Sequence, residues 1–333
     1  MQEHYELLRV TSRTFAAGIK VLPIPLRDAV TLAYLVLRVS DYFEDSPSLT
    51  TGDKRAALEL WARLVEGTPG RPLDRDVSAL LGAVAAQDRN LPDQAAALNA
   101  ASILDGLSDL PLGLLEPIQA HTSDTTRGMS RWTERGADFP DEAALDDYMF
   151  EVAGRVGLLL TDLFCAYSPA VRQKRGLLLE SAVSFGLGLQ TVNIIRGLHE
   201  DPGRGWIYIP RDLLPPEFQV PRPTAELKEL DRDQRLEILS FFVSKAGGHI
   251  ADAFRYCQAL PHTQRGIRVF CIIPALLALR TALASAGNAR TFETPVKVSR
   301  AQVRRVVLAA RILFFSDAWL DRERRRAHQL IRG

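Results

Sequence analysis

DAVTLAYLVLRVSDYFED, residues 28–45, decides the fold. Ala29, Leu32, Ala33, Val36, Leu37 and Val39 recur at the spacing of a wide helical face, not at the alternation of a strand. Ser46-Pro47 should end that helix, because the residue before a proline is pushed out of helical conformation. The stretch closes on acids. Asp41 and Asp45 are four residues apart and share a helix face, with Glu44 beside them and Arg38 about one turn earlier. Such a carboxylate pair suits Mg²⁺, which takes a few protein oxygens and leaves the rest of its octahedron to water and phosphate. Acidic pairs at this spacing also occur on solvated helix faces. What sets this one apart is that it directly follows an apolar run.

A second cluster, NIIRGLHED, holds Asn193, Arg196, Glu200 and Asp201. The four-residue spacing there joins Asn193, Gly197 and Asp201, and its middle position has no side chain. Two facing helices, each presenting acids and an arginine, can bracket a diphosphate through bridging Mg²⁺. Such a clamp stabilises the negative charge that develops on a leaving diphosphate. The two clusters therefore suggest a metal–diphosphate site with one ligand missing at Gly197.

Outward from these clusters the periodicity stays helical. It predicts helices over 54–66, 76–87, 95–107, 146–168, 172–201, 227–260, 265–286 and 300–332. Gly67-Thr68-Pro69-Gly70 should close the first of these. Between Pro202 and Pro223 lie six prolines and two glycines, a loop that could cover a site on the helix before it. Trp206–Ile209 could be a short extended piece. No repeat or composition break marks a boundary, so the pattern favours one all-α domain over residues 1–333.

The 333 residues are 47% apolar and 24% charged, with net charge +1, which gives no reason to expect a nucleic-acid partner. The run Arg322–Arg326 includes Glu323 and reads as a solvated helix face rather than a nucleic-acid or anionic-lipid patch. Cys165, Cys257 and Cys271 show no CxxC spacing, which argues against a disulfide framework or structural zinc and fits a reducing cytoplasm. MQEHYELLRV is too mixed and charged for a signal peptide. The longest apolar run, Val269–Leu279, lies between Arg268 and Arg280 and contains Pro274, well short of the roughly 20 residues that span a bilayer. No transmembrane anchor is expected, although an apolar substrate could draw the protein to membrane surfaces.

Five segments in order resemble the squalene/phytoene synthase family, and squalene synthases more than phytoene synthases. They are TSRTFAAGIKVL (11–22), AYLVLRVSDYFED (33–45), YMFEVAGRVG (148–157), GLGLQTVNIIRGLHED (186–201) and VFCIIPALLAL (269–279). The resemblance implies a class I isoprenoid synthase fold, one all-helical domain around a central cavity, that binds prenyl diphosphates through Mg²⁺. It implies metal ligands at Asp41, Asp45 and Asp201, supported by Glu44 and Glu200. Ser12, Arg13, Arg38, Asn193 and Arg196 match residues around the diphosphates, with Phe15, Tyr34 and Gln190 in the same matched segments. Tyr148 matches the tyrosine assigned acid/base work as a prenyl cation forms and loses a proton. Val152, Ala153, Gly154, Val156 and Gly157 would line an apolar tunnel.

The residues themselves leave alternatives open. Tyr148 could be a core tyrosine with a satisfied hydroxyl, and the VAG-x-VG segment a close helix–helix contact. Arg38, on an otherwise apolar face, must pair with something because a buried charge is costly alone; a phosphate is one candidate and Asp41 or Asp45 another. Arg155 could pair with Glu151 one turn earlier or enter the cavity.

Two positions depart from the family pattern. Gly197 stands where the leading Asp of the second motif is usual, which should weaken an Mg²⁺ site. In TPVKVSRAQV, Lys297 is kept but Ser299 stands where an Arg is usual, which puts NADPH use in doubt. Both point toward a prenyltransferase that passes its cation to a small-molecule acceptor, a non-isoprenoid aromatic one. The alternative is head-to-head condensation of two farnesyl diphosphates to presqualene diphosphate or squalene. A rival of another class is an inactive family member serving as a binding or assembly factor.

Overall fold

The apolar face around the first acidic cluster becomes a 20-residue helix, Leu26–Asp45. The structure, a computed structural model, describes residues 1–67, 74–84, 88, 91, 93–136, 138–218 and 227–331. Its helices are α1 (Gln2–Thr11), α2 (Arg13–Ile19), α3 (Leu26–Asp45), α4 (Thr51–Glu66), α5 (Asp74–Gly82), α6 (Gln94–Leu98), α7 (Ala100–Ser108) and α8 (Leu112–Arg135). They continue with α9 (Glu142–Met149), α10 (Arg155–Tyr167), α11 (Pro169–Arg172), α12 (Arg175–Gly197), α13 (Arg232–Ala259), α14 (Arg265–Ser285), α15 (Arg300–Leu313) and α16 (Asp317–Gln329). No strand occurs among the described residues, so the fold is all-α, as expected. The expected loop 67–70 and the end of the expected helix 76–87 run into residues outside the described part.

The chain forms two compact units, Met1–Gly136 with Leu158–Arg175, and Ala137–Gly157 with Gly176–Gly333. In the first, α3, α4 and α8 pack together. Trp61 is fully buried and its indole N–H donates to the Val36 carbonyl at 3.1 Å, which ties α4 to α3. The periodicity reading missed α8 because its inner face is hydroxylic rather than apolar. Thr122, Ser123, Thr125, Thr126 and Ser130 are all buried there. Thr122 and Thr126 donate back to the carbonyls of Ile118 and Thr122, Ser123 donates to Ala62 of α4, and Thr126 meets Ser40 of α3 at 2.7 Å. The hydroxyls of Thr122, Ser123 and Thr126 thus have partners, without which their burial would cost free energy.

The expected helix 95–107 is broken at Asn99, whose amide donates to the Ala95 carbonyl at 2.8 Å and competes with backbone pairing. In the second unit α13 packs on α14 and α16, and a Cβ added at Gly247 would lie 2.8 Å from the Ala327 carbonyl oxygen. The expected helix 300–332 breaks at 314–316, and Arg332 lies outside the described residues. Ser316 caps α16 by accepting from the Trp319 N–H, while the fully buried Arg268 donates to the Phe314 carbonyl at 2.8 Å and to Asp317 at 2.7 Å. The basic run on α16 is largely paired: Glu323 accepts from Arg280 and Arg326, and Asp321 from Arg324 and Arg325. α12 and α14 are long and apolar enough to cross a bilayer by length and composition. Their most apolar windows are 56% and 72% buried, as core helices are.

Candidate active site

In the first unit the outward side of α3 carries the first acidic motif. Arg38 pairs with Asp41 one turn on, and with Asp93 at 3.3 Å. Its guanidinium also lies 5.4 Å from the centre of the Tyr34 ring, which packs 5.5 Å from Phe15. Of the partners left open for Arg38, Asp41 is therefore the one engaged. Asp93, which no sequence pattern marked, is the second. Burial raises the Asp93 pKa, and Arg38 only partly offsets it. Asp45 is exposed at the end of α3. Ser12 caps α2 by accepting from the Phe15 N–H at 3.3 Å. The side chain of Arg13 lies outside the described part.

Glu44 corrects the sequence reading. It is only 5% exposed and belongs to the buried end of α3, not to the accessible edge with Asp41 and Asp45. Burial, then the Asp45 charge, holds its pKa well above the usual carboxylate range, against the pull of Lys54. Lys54 donates to the Glu44 carbonyl at 2.7 Å and closes the helix end. Beside it, Asp88 accepts from Tyr42 at 3.0 Å and from the Ser46 and Ser48 hydroxyls. Burial pushes the Asp88 pKa up, but these donors and Lys54 outweigh it and hold the group below its ordinary value. An ionised carboxylate thus anchors the turn that follows the first motif.

In the second unit, the YMFEVAGRVG segment is not plain α-helix. Residues Phe150–Gly154 form a π-helical turn between α9 and α10. Such turns insert an extra residue into the helical ladder and re-aim the side chains around them. The turn lies directly on α12. A Cβ at Gly157 would be 1.9 Å from the Ala182 carbonyl oxygen, and one at Gly186 would be 2.0 Å from that of Ala153. Only glycine at both positions lets the backbones come this close. The close-contact reading of VAG-x-VG is therefore realised. Arg155 pairs with the buried Glu151 at 2.6 Å and covers the Phe150 ring at 5.0 Å. Val152, Ala153 and Gly157 are half-buried.

Tyr148, one residue before α9 ends, is 3% exposed and sits among rings. Phe139, Tyr208 and Trp206 lie 5.6, 5.5 and 5.8 Å from it, centre to centre. Trp206 and Tyr208 stack on each other at 15°. The Tyr148 and Tyr208 hydroxyls are 3.3 Å apart, so one can donate to the other. The rings of Trp206 and Tyr208 come from the proline-rich loop, which takes 3₁₀ turns at Asp201–Arg204, Arg211–Leu213 and Pro216–Phe218 and forms no strand at 206–209. Residues 219–226 of that loop lie outside the described part. The loop does cover the start of the π-turned helix, and its aromatic residues are what the sequence reading left unassigned.

The second motif differs from expectation in one respect. α12 ends at Gly197, and Asp201 begins a 3₁₀ turn, so Asn193, Gly197 and Asp201 do not share one helix face. Pro202 disfavours helical conformation at Asp201. The chain folds back instead, and a Cβ at Gly197 would fall 1.9 Å from an Asp201 carboxylate oxygen. The Asp201 carboxylate occupies the space where a side chain at 197 would stand. Asn193, Arg196 and Glu200 are exposed, and the Asn193 amide faces Gln190 at 3.5 Å. Asp201, Ile194, Leu198, Trp206 and Tyr208 line a small, partly open cleft. It is a lobe beside the turn rather than room for a prenyl chain.

Mg²⁺ takes hard oxygen donors and often only one or two protein carboxylates. Asp41 and Asp45 fit that demand. Among the described residues no three His, Cys, Asp or Glu side chains form a group that could hold an ion by themselves. The second motif fits less well, since its leading position offers no donor and Asp201 lies over it.

Comparison with known proteins agrees with these motifs. The squalene/phytoene synthase family model matches residues 8–304. The squalene synthase of Homo sapiens is 28% identical over 314 residues, covering 92% of this chain and 68% of its own. That of Schizosaccharomyces pombe is 30% identical over 322 residues, covering 91% and 64%, and squalene synthase 1 of Arabidopsis thaliana 29% over 307, covering 91% and 69%. Among solved structures, TcSQS in complex with the ligand BPH1237 superposes with a TM-score of 0.76 at 25% identity, covering 99% of this chain and 97% of that one. A dehydrosqualene synthase shares the fold at TM-score 0.63 and 18% identity, covering 95% and 99%. The chain belongs to the squalene/phytoene synthase family of prenyltransferases.

Proposed function

We propose that the protein ionises an allylic prenyl diphosphate with Mg²⁺ and joins it head to head to a second prenyl diphosphate, farnesyl diphosphate being the donor of choice. The observation that carries this reading is that squalene synthases match 91–92% of the chain. It replaces the aromatic-acceptor expectation, which none of these squalene synthases supports. The two departures behind that expectation also have local explanations. Asp201 fills the space at Gly197. Ser299 caps α15, its hydroxyl accepting from the Gln302 N–H at 3.2 Å while the Gln302 side chain returns to the Ser299 N–H at 2.8 Å.

In this reading Asp41 and Asp45 of the first unit, and Asp201 of the second, are the carboxylates that would hold Mg²⁺, and the metal would offset charge on the diphosphate. Arg38 exchanges a carboxylate for a phosphate oxygen, with Arg13, Arg196, Asn193 and Ser12 completing the polar contacts. Tyr148 handles the proton beside the prenyl chain, shielded from water by Phe139 and Trp206. Its hydroxyl is held by Tyr208. The cysteines remain thiols and all three are buried, which suits a reducing cytoplasm.

The test is one incubation with Mg²⁺ and farnesyl diphosphate, with and without NADPH, reading diphosphate release and lipid product. Presqualene diphosphate or squalene is expected, and the NADPH arm decides whether the reductive half is present. Product only on addition of an aromatic acceptor would overturn the head-to-head reading. No diphosphate release and no Mg²⁺-dependent diphosphate binding would favour the inactive binding factor.

A further inference from the structure

From Arg300 to Ser316 the sequence RAQVRRVVLAARILFFS contains four arginines and no acid. α15 buries Val306 and Ala310. Its other side stays open: Leu308, Ile312 and Phe315 are 59%, 55% and 56% exposed. Leu308 and Ile312 stand about one turn apart on that side, and Phe315 follows in the turn just past the helix end. Arg304, Arg305 and Arg311 are exposed and flank that side, and Arg300 extends it toward the N-terminus. None of the four guanidinium groups is in an ion pair among the described residues, whereas the arginines of α16 are mostly paired. The end of the stripe is held rigidly. Arg268 grips the Phe314 carbonyl, and Arg265 donates to the Arg311 carbonyl and stacks on the Phe314 ring at 5.3 Å. Other large apolar residues at the surface, such as Val10, Ile24 and Leu112, are spread over separate elements.

We propose that this face of α15 docks the protein on an anionic phospholipid surface, with Leu308, Ile312 and Phe315 entering the acyl boundary and the arginines meeting headgroup phosphates. An amphipathic helix with a basic rim and an exposed apolar centre has the chemistry of such interfacial binding. The charge selects the occupant. A second copy of this chain on the same patch would bring eight arginines together with no acid between them, which opposes a symmetric dimer. A nucleic acid would satisfy the arginines but leave the apolar stripe against water. The charge is local, because the chain as a whole carries only +1. This inference does not rest on the prenyl-transfer reading, and either can fail alone.

The test is flotation of the full chain with vesicles of phosphatidylcholine alone and with vesicles that also contain phosphatidylglycerol. The parent should float with the anionic vesicles only, and raised salt should weaken the association. Each arginine near an anionic surface is worth about fivefold in partition. The R304Q/R305Q/R311Q variant should therefore lose about a hundredfold, and L308S/I312S/F315S at least tenfold. All six positions are exposed, and circular dichroism confirms that both variants fold. Equal partition to both vesicle types, or variants that bind like the parent, would overturn the proposal. So would light scattering that shows a dimer which the serine variant dissolves, since the face would then be a contact between copies.

Discussion

Replacing Gly186 with alanine sets two effects of opposite sign against each other. Within a helix alanine is favoured over glycine by about 1 kcal/mol. The close approach of α12 to the π-turn works the other way. The new Cβ would stand 2.0 Å from the Ala153 carbonyl oxygen and 2.6 Å from its carbon, where Cβ atoms essentially never come within 3.0 Å. The helices must therefore part by about 1 Å, because backbone cannot rotate out of the way as a side chain can. Overpacking of this kind costs roughly 1–3 kcal/mol and occasionally more, and the gap also forfeits dispersion along the interface. A backbone obstruction falls at the upper end, so after the gain in helix propensity the net loss should be about 2 kcal/mol. At about 2–4 °C per kcal/mol, melting should drop by about 4–8 °C. Gly157→Ala meets the Ala182 carbonyl at 1.9 Å and should behave alike. Both changes open the same gap, so the double variant should cost less than the sum of the two. Thermal unfolding followed by circular dichroism measures all three. A Gly186→Ala protein that melts at or above the parent temperature would show that helix propensity wins and that the backbones are not in contact.

Three further outcomes follow from the same geometry. Asp88→Asn should lower stability by about 2 kcal/mol near neutral pH through loss of charge-assisted hydrogen bonds. Because the folded pKa of Asp88 lies below its ordinary value, its contribution is present above the ordinary carboxylate pKa. It disappears as pH falls through the folded value, so denaturant midpoints of parent and variant should converge in acid. Tyr208→Phe keeps the ring stack but removes the hydroxyl 3.3 Å from that of Tyr148. Diphosphate release should slow by about fivefold, the worth of about one hydrogen bond, with a shifted pH profile and little change in melting. Gly197→Asp should displace the Asp201 carboxylate and raise Mn²⁺ affinity severalfold in a calorimetric titration with inorganic diphosphate. Unchanged affinity would refute the account of Gly197 as a missing donor.

Legibility in the sequence tracked the kind of side chain that each element buries. α3, α12 and α14 bury aliphatic stripes, and their period showed. α8 buries threonine and serine hydroxyls, with Thr122 and Thr126 bonded to its own carbonyls, so its inner face looked like a polar segment. The two units interleave along the chain, so no single linker exists for composition to reveal. The acids of the first motif were found because helix spacing truly relates Asp41 to Asp45. Glu44 was misplaced because spacing gives a direction around the helix but not which direction is dry. The same spacing misled at the second motif, where it presumed a helix through Asp201 that stops at Gly197. Asp93, Trp206 and Tyr208 sit in irregular backbone, where no period exists to point at them.

The arrangement around Arg38 shows why an acid-rich motif can stand folded without its substrate. Arg38 is about a third exposed at most, and Asp41 and Asp93 less so, at 29%, 18% and 15%. Charges this close to the interior need compensation, and each supplies it for the others. Under the proposed function, a diphosphate would compete with Asp41 for this guanidinium and leave the Asp41 carboxylate available to a divalent cation. Asp93, at 3.3 Å, is placed to stay with Arg38 during such an exchange. At the second motif the visible feature is geometric: the Asp201 carboxylate lies over a glycine that leaves it room. The two motifs are thus built on different features: the first on an arginine held between two carboxylates, the second on a carboxylate lying over a glycine.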